Sequence, residues 1–228
     1  GVEIEIAQGW NWIPYTRNFT LSLDDAFAGI EPQRNDQVKG QSGFAMYNGT
    51  AWTGTLKAIN PGKGYIYRNT SVEEKYLQYP SERTVATASL APVRRTAQVS
   101  KFDAVDPTEY ESNMTILAIA KNGDEVVENA QEIAVFNGAV CMASAMVEED
   151  GYFYLTIPGD ASVTNKLNVY VVVDGEVMET STTINFSADA TYGDFDNPFV
   201  VSLGNATAID KMLASGNYSK LQVVDVSG

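Results

Sequence analysis

The 228-residue sequence contains no histidine and only one cysteine. Without imidazole there is no Ser-His-Asp or Cys-His catalysis, and the commonest zinc ligand is missing. A lone cysteine forbids an intrachain disulfide. Cys141 lies in Val140-Cys141-Met142-Ala143, an apolar setting that favours a buried structural thiol over a nucleophile. No apolar run is long enough to cross a bilayer as a helix, so no transmembrane segment is expected in this chain. Positive charge is scarce in one half. Residues 1–101 carry 11 basic and 9 acidic side chains, residues 102–228 carry 4 and 20, and the net charge of −14 is therefore concentrated in the second half. Such a field disfavours nucleic acid and anionic membrane as partners. Convincing helical periodicity is also missing, and no motif asks for a cofactor.

What is present is the grammar of short strands. Ile4 and Ile6 alternate with polar neighbours, and residues 10–15 continue extended. Ser22 before residues 24–28 predicts one capped helical turn. Residues 44–47 run into Asn48-Gly49, a strong hairpin signal, before Thr50-Ala51-Trp52. Pro61-Gly62-Lys63-Gly64 has some look of a phosphate loop, but Tyr65-Ile66-Tyr67 follows where that motif needs a helix, so it reads as a turn. Residues 75–79 close a first module, 1–80. Residues 81–101, rich in Ser, Thr, Ala and Arg, read as a linker.

Residues 102–203 show some seven strands punctuated by Asn122-Gly123, Asn137-Gly138 and Asp174-Gly175, the last two being two-residue hairpin turns. Glu148-Glu149-Asp150 reads as a solvated hairpin tip. Residues 204–228 form a C-terminal segment that ends on a strand-like run, and Gly1 in place of methionine points to a processed or recombinant start; a longer precursor is expected. The fold expected is all-β, with two antiparallel β-sandwich-like domains in tandem.

Several stretches together resemble a recurring module of Bacteroides-type secreted and surface proteins. They are Gly9-Trp10-Asn11-Trp12-Ile13, residues 41–47, residues 52–56 and residues 61–67. Residues 112–116, 132–136, 151–157 and 197–200 resemble its usual companion β-module, in order, and the tail resembles the start of a C-terminal β-domain. One departure is Met142-Ala143 after Cys141, where relatives often have Arg-Gly. The resemblance implies an extracellular or outer-surface location and supplies no catalytic residue.

Two functional candidates follow. Trp10, Trp12, Trp52, Tyr47, Tyr65 and Tyr67 either fill the core of the first module or form a platform for sugar rings. The resemblance makes Trp10 and Trp12 a module signature and hence expected core residues. Trp52, beside the Asn48-Gly49 turn, is the expected exposed contact, with Tyr47, Tyr65 and Tyr67. Asp189, Asp194 and Asp196, with Asn197, form an oxygen-rich set that suits either calcium or loop capping; the Gly and Glu of an EF-hand loop are absent. The function expected is that of a non-catalytic interaction module with a glycan or surface-protein partner, adhesin-like. The alternatives are an accessory region of an extracellular polysaccharide- or protein-degrading hydrolase and a ligand-free spacer.

Overall fold

Tyr65, Tyr67 and Asn69 point to one side of their strand, and Ile66 and Arg68 to the other. That alternation organises the first of two units. A computed structural model describes residues 3–82 and 99–204, and the chain divides into Gly1–Val99 and Ser100–Gly228. Most of the expected linker and nearly all of the expected C-terminal segment lie outside the described residues.

The first unit holds β1 (Ile4–Ile6), β2 (Gly9–Pro14), β3 (Leu21–Ser22), α1 (Leu23–Phe27), β4 (Gln37–Lys39), β5 (Phe44–Tyr47), β6 (Trp52–Gly54), β7 (Ala58–Ile59), β8 (Gly64–Asn69) and β9 (Lys75–Leu77). Its main sheet is antiparallel in the order β2-β8-β4-β5-β6. One face of that sheet presents Ile13, Val38, Ala45, Tyr65 and Tyr67 to a core. The core is closed by the β1-β9 and β3-β7 ribbons and by α1, not by a second broad sheet. The helical turn starts where expected: Asp25 N donates to Ser22 Oγ at 3.1 Å, and Phe27 is buried one turn later.

Asp36, fully buried just before β4, ties this unit together. Its carboxylate accepts from Gln33 N at 3.0 Å, Tyr67 Oη at 2.7 Å, Thr70 N at 2.8 Å and Thr70 Oγ1 at 2.7 Å. Lys75 Nζ completes the set with an ion pair at 3.1 Å. Burial pushes the Asp36 carboxyl up, but the donors from Gln33, Thr70 and Tyr67 outweigh it and hold the group below the usual carboxylate range.

The second unit contains β10 (Ser112–Asn122), β11 (Glu125–Val126), β12 (Ala130–Asn137), β13 (Val140–Met146), β14 (Phe153–Gly159), β15 (Lys166–Val173), β16 (Glu176–Asn185), β17 (Thr191–Tyr192) and β18 (Phe199–Ser202). One sheet has the order β13-β12-β15-β16, and the other is built around β10. Ile133, Val135, Val169 and Val171 of the first share a core with Met114, Ile116, Leu155 and Ile157 of the second. The Asp174-Gly175 hairpin is as expected, with both residues at positive φ, 51° and 80°. The antiparallel expectation holds except at one place. Both β17 and β18 run parallel to β10.

That parallel edge depends on Gly193. Its φ is +76°, and a Cβ there would lie 2.3 Å from Leu117 O and 2.7 Å from Phe199 N. Both neighbours are backbone atoms, so the chain can turn beside β10 only without a side chain.

The start of the second unit corrects the linker boundary. Ser100 Oγ and Lys101 N both donate to the buried Glu132 carboxylate, the latter at 2.9 Å. Val105 N then donates to Cys141 O at 3.0 Å. Between them Phe102 packs edge-on to Phe136, within a small apolar cluster on the other face of the β12 sheet. Residues 100–101 therefore belong to the second unit.

Two outcomes follow. All three tryptophans, Trp10, Trp12 and Trp52, lie in the first unit, so their fluorescence reads that unit alone. Because the folded pKa of Asp36 is depressed, its stabilisation is complete above its ordinary value and is lost as pH falls through the folded one. An acid titration followed by tryptophan fluorescence will show this loss. Asp36→Asn will flatten it while costing about 3 kcal/mol at neutral pH, through the broken pair with Lys75. In the second unit, Gly193→Ala will cost about 3 kcal/mol or more, lowering the unfolding transition seen by circular dichroism.

Candidate functional site

The exposed aromatic surface lies on β2, at the edge of the main sheet of the first unit. A local lock sets where this strand begins. Asn11 Oδ1 accepts from Ala7 N at 2.9 Å, and its Nδ2 donates to Ala7 O at 2.8 Å and Gly9 O at 2.9 Å. From there the pleat alternates. Asn11 and Ile13 turn toward the core side, while Trp10, Trp12 and Pro14 face outward. Pro14 suits an edge strand, since it has no N–H to offer a further neighbour.

The outward face can be read from the register. Trp10 is paired across to Arg68 and Trp12 to Ile66 on β8; beyond them Gln37 is opposite Arg68 and Lys39 opposite Ile66 on β4. Trp12 is 80% exposed and Trp10 40%. Lys39, itself buried, places its ammonium 5.3 Å from the centre of the Trp10 ring. To do so from β4 its stem must cross β8, so it covers apolar surface and brings a charge to the negative face of the indole. No acidic residue occupies an outward position of β2, β8 or β4.

The residues expected to form the platform are placed otherwise. Tyr65 and Tyr67 are 4% and 0% exposed and belong to the core. Burial, then the adjacent Asp36 charge, pushes the Tyr67 phenol up and out of the physiological range. Trp52 is half-buried, its ring 5.3 Å from Phe27, 5.5 Å from Tyr47 and 5.9 Å from Tyr67. Tyr47 is half-buried beside it. The expected roles of the tryptophans are thus exchanged: Trp52 anchors the core, and Trp10 and Trp12 are outside. The reason is parity. Tyr47 and Trp52 share the inward side with Tyr67, whereas Trp10 and Trp12 pair with Ile66 and Arg68 on the outward side.

Of the two readings of the aspartate set, loop capping is the one seen at Asp194. Asp194 Oδ1 accepts from Asp196 N at 2.9 Å and Asn197 N at 2.7 Å, which is loop capping. Asp189 sits apart in a turn with φ of 61°, its N–H donating to Asn113 O at 3.0 Å. Among the described residues no three acidic, histidine or cysteine side chains gather as a metal would need. Asp150 is more than a solvated tip, since it accepts from Tyr152 N at 3.1 Å and Tyr154 Oη at 2.6 Å.

Cys141 is fully buried, and burial, followed by the Glu132 charge, pushes its thiol up to about 12. It is not a thiolate at neutral pH. Among the described residues no helix is long and apolar enough to cross a membrane. No protein-family model, curated protein or solved structure matches this chain.

The exchanged tryptophans make a direct contrast in stability. Trp12→Ala will leave the urea midpoint within about 0.5 kcal/mol of the parent, as expected for an exposed side chain. Trp52→Ala will cost about 3 kcal/mol, because it opens a gap among Phe27, Tyr47 and Tyr67.

Proposed function

We propose that this chain is a non-catalytic interaction module of an extracellular or outer-surface protein, and that its first unit binds a glycan through the outward face of β2. The observation that supports this reading is the pair Trp10 and Trp12, two large aromatic rings exposed on one side of an edge strand. Exposed indole is costly to leave in water and offers a flat apolar face edged by polar groups, which suits the axial C–H face of a pyranose. The ring of Trp10 is held by Lys39, so the freer platform is Trp12.

The non-catalytic part rests on the missing imidazole and the protonated Cys141 thiol, which leave no activated nucleophile of the Ser-His or Cys-His kind. The location rests on the resemblance of residues 9–13, 41–47 and 61–67 to the Bacteroides-type surface module. Attachment to a hydrolase would give the same surface a targeting role, holding a catalytic region near its polysaccharide.

The test is a glycan array with the whole chain, repeated with Trp12→Ala. Binding to one or more polysaccharides is expected, with the Trp12 variant losing about fivefold or more in affinity; stacking on an aromatic ring is worth roughly 1 kcal/mol or more. Absence of binding to every polysaccharide would point to the spacer reading instead. Capture of a protein ligand that depends on Trp12 would keep the surface and change the partner.

A further inference from the structure

The outward face of β2 and β8 carries charge of only one sign, and this narrows the class of glycan. We propose that the Trp12 face takes an anionic polysaccharide, one bearing uronate or sulfate groups, with Arg68 as its anion ligand. The proposal rests on the glycan reading above.

Arg68 is half-exposed, and among the described residues its guanidinium donates no hydrogen bond and forms no ion pair. It is directly opposite Trp10 and diagonal to Trp12, which in an antiparallel pair separates their Cβ atoms by about 7–8 Å. A sugar ring stacked on Trp12 has a width of that order, so a carboxylate or sulfate at its rim falls within reach of the guanidinium. The planar fork of arginine matches both groups in bidentate fashion. Lys39, buried on the same side of the sheet, keeps its ammonium over Trp10, and no acidic residue lies on the outward side of β2 or β8 beside Arg68.

A neutral glycan would use the indole and leave Arg68 in water. An anionic one engages both. The net charge of −14 argues against a broad polyanion-attracting field, so the contact is local: one stacked ring and one or two anionic groups. This explains how a strongly acidic chain can still hold an acidic polymer at a single place.

The experiment is native affinity electrophoresis of the whole chain in gels containing polygalacturonate, chondroitin sulfate, methyl-esterified polygalacturonate, hydroxyethylcellulose or galactomannan, each measured against a polymer-free gel. Retardation by an anionic polymer is expected, and esterification, which removes the carboxylate charge, will abolish the polygalacturonate interaction where that is the polymer bound. Trp12→Ala will remove the retardation. Arg68→Gln will weaken it about tenfold, as for a lost charge-assisted hydrogen bond, and Arg68→Lys will keep part of it. Unchanged circular dichroism and tryptophan fluorescence in the Arg68 variants will show that the fold is retained. Retardation by neutral polymers alone, insensitive to Arg68→Gln, would overturn the anionic class and leave the glycan reading standing. Retardation that survives Trp12→Ala would also overturn it, since simple ion exchange needs no indole. No retardation by any polymer would overturn both.

Discussion

A buried carboxylate keeps its charge only when its oxygens are fully engaged, and Asp36 meets that condition with donors drawn from three separate parts of the first unit. Gln33 comes from the loop before β4, Tyr67 and Thr70 from β8 and the turn after it, and Lys75 from β9. The same group therefore fixes the register of β8 against β4 and the position of the β9 ribbon. A slip of one residue between these strands would reverse every side chain on β8. Tyr67 would then be outside and Arg68 would be driven into the core. The chemistry of the exposed face depends on this internal polar cluster, although no atom of Asp36 lies on it.

The outer face is in turn a balance of exposure and restraint. Trp12 is left in water, while Trp10, one pleat earlier, is held by a lysine reaching across a neighbouring strand. One ring is prepared as a surface and the other as a fixed wall. Asn11 contributes from the inward side, because its closed exchange of hydrogen bonds with Ala7 settles the start of the strand and hence which residues alternate outward. A polar residue between two tryptophans thus fixes the local start of the strand that the pairing with β8 then orients.

The strands and their turns were legible in the sequence because the signals there are local. Ser22 reads as a cap on its own, Asp174-Gly175 demands positive φ on its own, and Asn48-Gly49 marks the turn after residues 44–47 without help from the rest of the chain. The candidate site was less legible. The spacing of Trp10 and Trp12 shows that they share a side, but the side is chosen by pairing with Ile66 and Arg68, more than fifty residues away. Pro14, on the same parity, was the available hint that this strand lies at an edge. The parallel edge at β18 left no local trace either, since Phe199-Val200-Val201 would look the same in an antiparallel pair. The aspartates between 189 and 196 suited either calcium or loop capping, because composition counts oxygen atoms and does not reveal that backbone N–H groups already use Asp194.

The placement of β18 has a consequence for how the chain is made. Its partner β10 ends at Asn122, and Ala118 waits for Phe199 before that side of the sheet is covered. The first unit closes much sooner, when Leu77 reaches Ile4. During synthesis at about 5–20 residues per second, the N-terminal unit can be finished while β10 still has an open flank. A chain delivered end-first through a membrane would meet the same order. Its tryptophan-bearing unit would be assembled before the rest had folded.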